Sequence, residues 1–154
     1  MLFVSGQLDQ RMYGPGTLDP NMKRRSVYFF IKRSQLISTM MLFDWPEHLV
    51  SIGQRQSTTI APQALMFMNS EPGRSYAEAF ARNITSPDTT KSVDAAYRHA
   101  LGRAPSEREA TIAVQFIEAS KKSREQLGEG NAHEAALADF CQAIFGLNEF
   151  IYVD

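Results

Sequence analysis

The chain of 154 residues is 44% hydrophobic and 21% charged, long enough to bury one substantial core and too short to argue for two. Its 16 Lys and Arg against 17 Asp and Glu leave no field of the kind that draws a protein to phosphate backbones or anionic lipid, so nucleic acid is not an expected partner. A single cysteine, Cys141, excludes an intramolecular disulfide, and without CxxC, CxxCH or a Cys/His cluster at ligand spacing no haem, zinc or other cofactor is expected.

The opening "MLFVSG" lacks the basic segment and the apolar length of a signal peptide or membrane span, so direct membrane insertion is not expected. Taken literally, that places the protein in the cytoplasm; the alternative is a longer protein whose targeting segment lies upstream. Residues 1–24 contain "YGPG" and "LDPNMKR", turn dipeptides and proline breaks that predict loop leaning on something else. "SVYFFIK" alternates Val27, Phe29 and Ile31 with Tyr28, Phe30 and Lys32, a strand-like run that also fits the start of a buried helix. In "SQLISTMMLFDW" Ser34 is placed to cap a short helix with Leu36, Met40 and Phe43 on one side, ended by Pro46. Pro62 then suits the first turn of another short helix carrying Leu65, Met66 and Met68.

From Ser75 onward the pattern is regular. Tyr76, Phe80 and Ile84 recur at helical spacing. Val93, Ala96, Tyr97, Ala100 and Leu101 form one apolar stripe, with Gly102 as its left-handed terminator. Ser106 and Glu109 have capping-box spacing ahead of a helix whose expected buried face is Ile112, Ala113, Phe116 and Ile117. After "GEGN", Leu137, Phe140, Cys141, Ile144 and Phe145 repeat the stripe. Short connections make such helices antiparallel neighbours. The expected fold is therefore mainly α, in one domain: an irregular, loop-rich N-terminal segment (1–70) packed on a bundle of about four to six helices (71–154). Its core would draw on Tyr76, Phe80, Tyr97, Leu101, Phe116, Ile117, Phe140 and Ile144.

Polar groups interrupt the apolar N-terminal stretches: Arg24, Arg25, Arg33, Asp44, Arg55, Gln63 and Asn69. A guanidinium turned inward must meet a carboxylate, carbonyls or water. One reading makes the arginines fasteners, with Asp44 as their natural partner; the other gathers the set at a cleft for an anionic or polyhydroxyl ligand. Asp44, Glu47 and His48 lie within five residues, yet a lone histidine beside a proline turn is more often a solvated loop residue than a catalyst or ligand. Neither His99 nor His133 has a visible partner in the sequence. Cys141 on an apolar face reads as a small hydrophobe, and "KKSREQ" as a solvated charge run. No catalytic residue and no metal ligand is assigned.

"SGQLDQRMYGPG", "RRSVYFFIKRS", "FDWP", "RQSTTIAPQALMFMN", "AYRHALGRAPSERE" and "CQAIFGLNEFIYVD", taken in order, resemble the C-terminal portion of the planctomycete PSD-one domain, the domain of unknown function fifteen fifty-three. The motif positions are Arg24, Arg25, Tyr28, Arg33, Phe43, Asp44, Pro46, Arg55, Thr58, Thr59, Gln63 and Asn69. The resemblance implies a fragment of a large extracytoplasmic protein in which another uncharacterised domain, and sometimes a cytochrome c module, lies upstream. It transfers no reaction. Members often carry a cysteine ahead of the arginine motif, where this chain has "LVSIG", so no role for that thiol carries over. The expected function is an interaction or ligand-binding module, its partners the upstream domains and a polysaccharide or another surface protein. Two alternatives remain: part of a polysaccharide hydrolase completed by the upstream domain, and an electron-transfer accessory to the cytochrome c module.

Overall fold

The computed structural model describes residues 1–32, 34–45, 53 and 60–152. Among them the protein is mainly helical, with seven α-helices, five of them seven residues or longer, and no β-strand. It divides into two compact units: Met1–Gln7 with Ala64–Asp154, and Leu8–Gln63.

The larger unit contains helices α3 (Glu71–Ile84), α4 (Thr89–Leu101), α5 (Glu107–Gln126), α6 (Ala132–Phe145) and α7 (Asn148–Ile151). Local chemistry sets their ends. Ser70 accepts from the Gly73 amide to cap α3, Asp88 accepts from Thr90 to cap α4, and Ser106 with Glu109 forms the expected capping box of α5. Gly102 closes α4 at φ +72°, where a side chain would be strained. Helix α3 begins four residues before Ser75, because Pro72 in its first turn needs no amide partner and Ser70 supplies the cap. Gly73 is required there: a Cβ would stand 2.8 Å from the Phe67 carbonyl and 2.9 Å from Ser70 Oγ.

Helix α6 is the axis of this unit, packing against α3 and α5 and burying Ala136, Leu137, Ala138, Phe140, Cys141, Ile144 and Phe145. Alanines at 77, 81, 96 and 113 on its neighbours are buried with it, and small side chains let helix backbones approach closely. Phe145 stacks on Phe80 at 5.8 Å and meets Phe150 of α7 at 4.9 Å. The expected face of α5 needs correction. Ala113 and Ile117 are buried, but Ile112 is 55% and Phe116 45% exposed, so the stripe that meets α6 is narrower than four residues. The chain start also belongs to this unit. Ser5 is buried, its carbonyl accepts from Asn83 Nδ2 at 2.9 Å, and Met1 and Val4 pack on the core.

In the Leu8–Gln63 unit backbone pairing is sparse. "SVYFFIK" is not a strand: Ser26–Tyr28 is a 3-10 turn, and a single parallel bridge joins Thr17 to Phe29. The facing segment cannot extend the ladder, because Pro15 and Pro20 have no amide hydrogen and Tyr13 and Gly14 turn at positive φ. Nor does the alternation sort inside from outside, since Val27, Phe30 and Ile31 are all exposed. The next helix, α1 (Ser38–Leu42), starts later than a Ser34 cap requires. A Lys32 to Gln35 bridge holds that stretch in a turn, so Ile37, the buried hydrophobic residue here, precedes the first helical residue. The proposed terminator Pro46 lies outside the described residues. Helix α2 (Ala61–Asn69) has Pro62 in its first turn, as expected.

Candidate functional site

Arg24 organises the arginine motif. The Asp9 amide bonds to the Lys23 carbonyl, which draws residues 9–15 alongside Arg24. Its guanidinium then donates to the carbonyls of Arg11 at 3.1 Å, of Pro15 at 3.5 Å and of Tyr13. The same guanidinium lies over the Tyr28 ring at 3.5 Å, a cation–π contact that a lysine would reproduce poorly. Tyr28 completes the knot by accepting, through its hydroxyl, from the Tyr13 amide at 2.7 Å. One guanidinium and one phenol thus satisfy a turn that has no ladder of its own. Beside it Asp9 accepts from Arg11 Nε and Nη2, and those bonds hold the Asp9 carboxyl down at about 2.

Gln63 is buried, accepting from the Ile60 amide at 3.2 Å and donating to the Leu42 carbonyl at 3.0 Å; it ties the end of α1 to the start of α2. Asp44 follows α1 at φ +55°, and the Trp45 amide bonds back to the Met40 carbonyl at 3.1 Å. That is the six-to-one bond of a helix-closing left-handed turn, usually made with glycine, and aspartate is among the side chains that tolerate it. Arg25 and Asn69 are exposed. Arg33, Glu47, His48, Arg55, Thr58 and Thr59 lie outside the described residues. Gln63→Leu is expected to remove about 1 kcal/mol by leaving a backbone donor and acceptor without their partner, read as a lower urea midpoint at unchanged slope.

Two ion-pair clusters in the larger unit had no counterpart in the sequence reading. Asp139 on α6 accepts from Arg74 of α3 at 2.6 Å and from Arg124 of α5 at 2.7 Å. Arg103, just past α4, grips Glu109 of α5 at 2.8 Å and Glu149 of α7 at 2.7 Å. Arg124 is therefore not part of a merely solvated run. Arg103 and Glu109 sit six apart in "GRAPSERE", close enough along the chain to suggest a pair, whereas Asp139 and Arg74 are 65 residues apart.

Burial raises the Asp139 carboxyl, but the hydrogen bonds from Arg124 and Arg74 outweigh it and hold the group below its ordinary value. Stability from a depressed carboxyl is complete above its unfolded pKa, about 3.9, and is lost as pH falls through the lower folded value. Asp139→Asn should therefore lose about 1 kcal/mol near neutrality, and its melting curve should converge on that of the wild type below about pH 4. Parallel curves down to pH 3 would exclude this linkage.

Among the described residues no group of three or more His, Cys, Asp and Glu is placed to hold a metal ion. Cys141 is buried, which pushes its thiol up and out of nucleophilic range. His99 is exposed, and both ring nitrogens of His133 are shielded without a hydrogen-bond partner among the described residues.

The architecture is that of a helical domain carrying a knotted arginine motif. A model of the family described as a protein of unknown function (PSD1, DUF1553) matches residues 1–117. The chain belongs to that family. The match takes in the motif, Gln63 and the Arg103–Glu109 clamp, and stops within α5, ahead of Asp139 and Glu149. No curated protein and no solved structure matches the chain.

Proposed function

We propose that this domain is an interaction module of a larger extracytoplasmic protein, engaging either the domains upstream of it or a further surface molecule. The observation that carries the reading is the use made of Arg24. Its guanidinium serves carbonyls of its own turn, and the ordered turn leaves Arg25, Val27, Phe30 and Ile31 exposed on the same short segment. That is how a scaffold presents a surface. The hydrolase alternative has less support, because a general acid needs a raised pKa. Asp9 is instead held low by Arg11. No helix among the described residues is long and apolar enough to cross a membrane.

The test is hydrogen exchange on the longer protein encoded by the complete reading frame, compared with this chain alone. Protection of residues 24–41 in the longer protein, or on adding extracts of cell-surface material, supports the module. Polysaccharide hydrolysis that is lost in Asp44→Asn would replace it with the enzyme. A leader segment at the start of that reading frame decides the extracytoplasmic placement.

A further inference from the structure

The sequence is nearly neutral overall, but its charge is unevenly divided. Leu8–Gln63 holds seven Lys and Arg against four Asp and Glu, a net +3, while the remainder holds nine against 13, a net −4. On the basic unit the side chains of Phe30, Ile31, Leu36 and Met41 are exposed. With Ile37 and Trp45 they line a shallow groove, together with Gln35 and the charged Lys32. Apolar side chains concentrated in one groove on a basic unit call for a partner that offers both apolar anchors and negative charge.

We propose that this groove docks an acidic, apolar peptide segment of a partner protein, a refinement that rests on the interaction-module reading. Phe30, Ile31, Leu36 and Met41 suit aliphatic or aromatic anchors, and Lys32 meets a carboxylate at the rim. A glycan fits less well, because beside Lys32 and Gln35 most of the lining is apolar and offers its hydroxyls few hydrogen bonds. A second copy fits less well too. Two such grooves face to face bring like charges together, and a groove set against the acidic unit of another copy is a head-to-tail contact, which ends in a closed assembly only where its rotation completes a ring.

Trp45, the sole tryptophan, lines the groove and reports on it directly. The chain is titrated with a synthetic peptide alternating glutamate with leucine and phenylalanine, and with versions carrying lysine for glutamate or serine for the apolar residues. The acidic apolar peptide should shift the Trp45 emission and bind more weakly as salt rises. Lys32→Glu should weaken it about tenfold or more, Lys32→Arg should retain it, and Phe30→Ser should abolish the shift. Both positions are exposed, and circular dichroism checks that each variant is folded. Failure of the acidic peptide to shift Trp45, equal binding of the lysine version, or indifference to Lys32→Glu overturns the proposal. So does a uronic-acid polysaccharide that shifts Trp45 where the peptide does not, or a shift that tracks self-association in sedimentation; either leaves the module reading standing. That reading fails separately, through lack of exchange protection at residues 24–41 both in the longer protein and on adding the cell-surface extracts.

Discussion

Phe145→Ala should produce the largest loss of stability in the molecule, about 3–5 kcal/mol. The ring is fully buried, stacked on Phe80 at 5.8 Å and against Phe150 at 4.9 Å. Its removal leaves a cavity between α3 and α6 and takes the floor from under α7. Phe150 also meets Phe67 of α2, edge to face at 6.4 Å, so the loss reaches the helix that leads into the bundle. Thermal unfolding should show a drop in Tm on the order of 10 °C or more. Phe150→Ala, on a half-buried ring, should lose less. If the two variants were equal, α7 and not the Phe80–Phe145 stack would be the centre of this packing.

Arg24 should dominate the other unit. Arg24→Ala removes several charge-assisted hydrogen bonds to carbonyls and the contact with the Tyr28 ring, an expected loss of about 2 kcal/mol confined to the Leu8–Gln63 unit. Arg24→Lys should recover little of it, because an ammonium cannot serve three separated carbonyls while lying flat on a ring. Hydrogen exchange is the suitable measurement, since amides that depend on the knot, such as Tyr13, Thr17 and Phe30, should open while those of α6 stay protected. Complete rescue by lysine would mean that the charge alone matters and the fork geometry does not.

Much of the helical unit was legible because its signals are local. Gly102 stops α4 and the Ser106–Glu109 box starts α5 through atoms within a few residues of one another. The buried face of α6 follows from a repeat of large apolar residues. Phe116 shows the limit of that logic. Its spacing is helical, yet a long amphipathic helix has more apolar positions than its neighbours can cover, and only the packed arrangement decides which are buried. "SVYFFIK" shows the same limit for strands, because a strand exists only if another segment can pair with it, and here the opposing residues are prolines and turns.

The polar motif divides the same way. That an inward arginine must meet a carboxylate, carbonyls or water was a sequence-level inference, and for Arg24 the structure supplies backbone carbonyls. Asp44, read as a natural arginine partner, has a backbone role that the sequence did not show, at the left-handed position that closes α1. The sequence alone determined the helical class, several helix ends and the family, because these depend on short-range periodicity, capping and an ordered set of motifs. The tertiary structure alone decided that Arg74, Arg124 and Asp139 converge, that residues 1–7 join the helical unit, and which apolar side chains stay exposed. Those outcomes depend on which surfaces meet in space, and no residue's own neighbours along the chain carry that information.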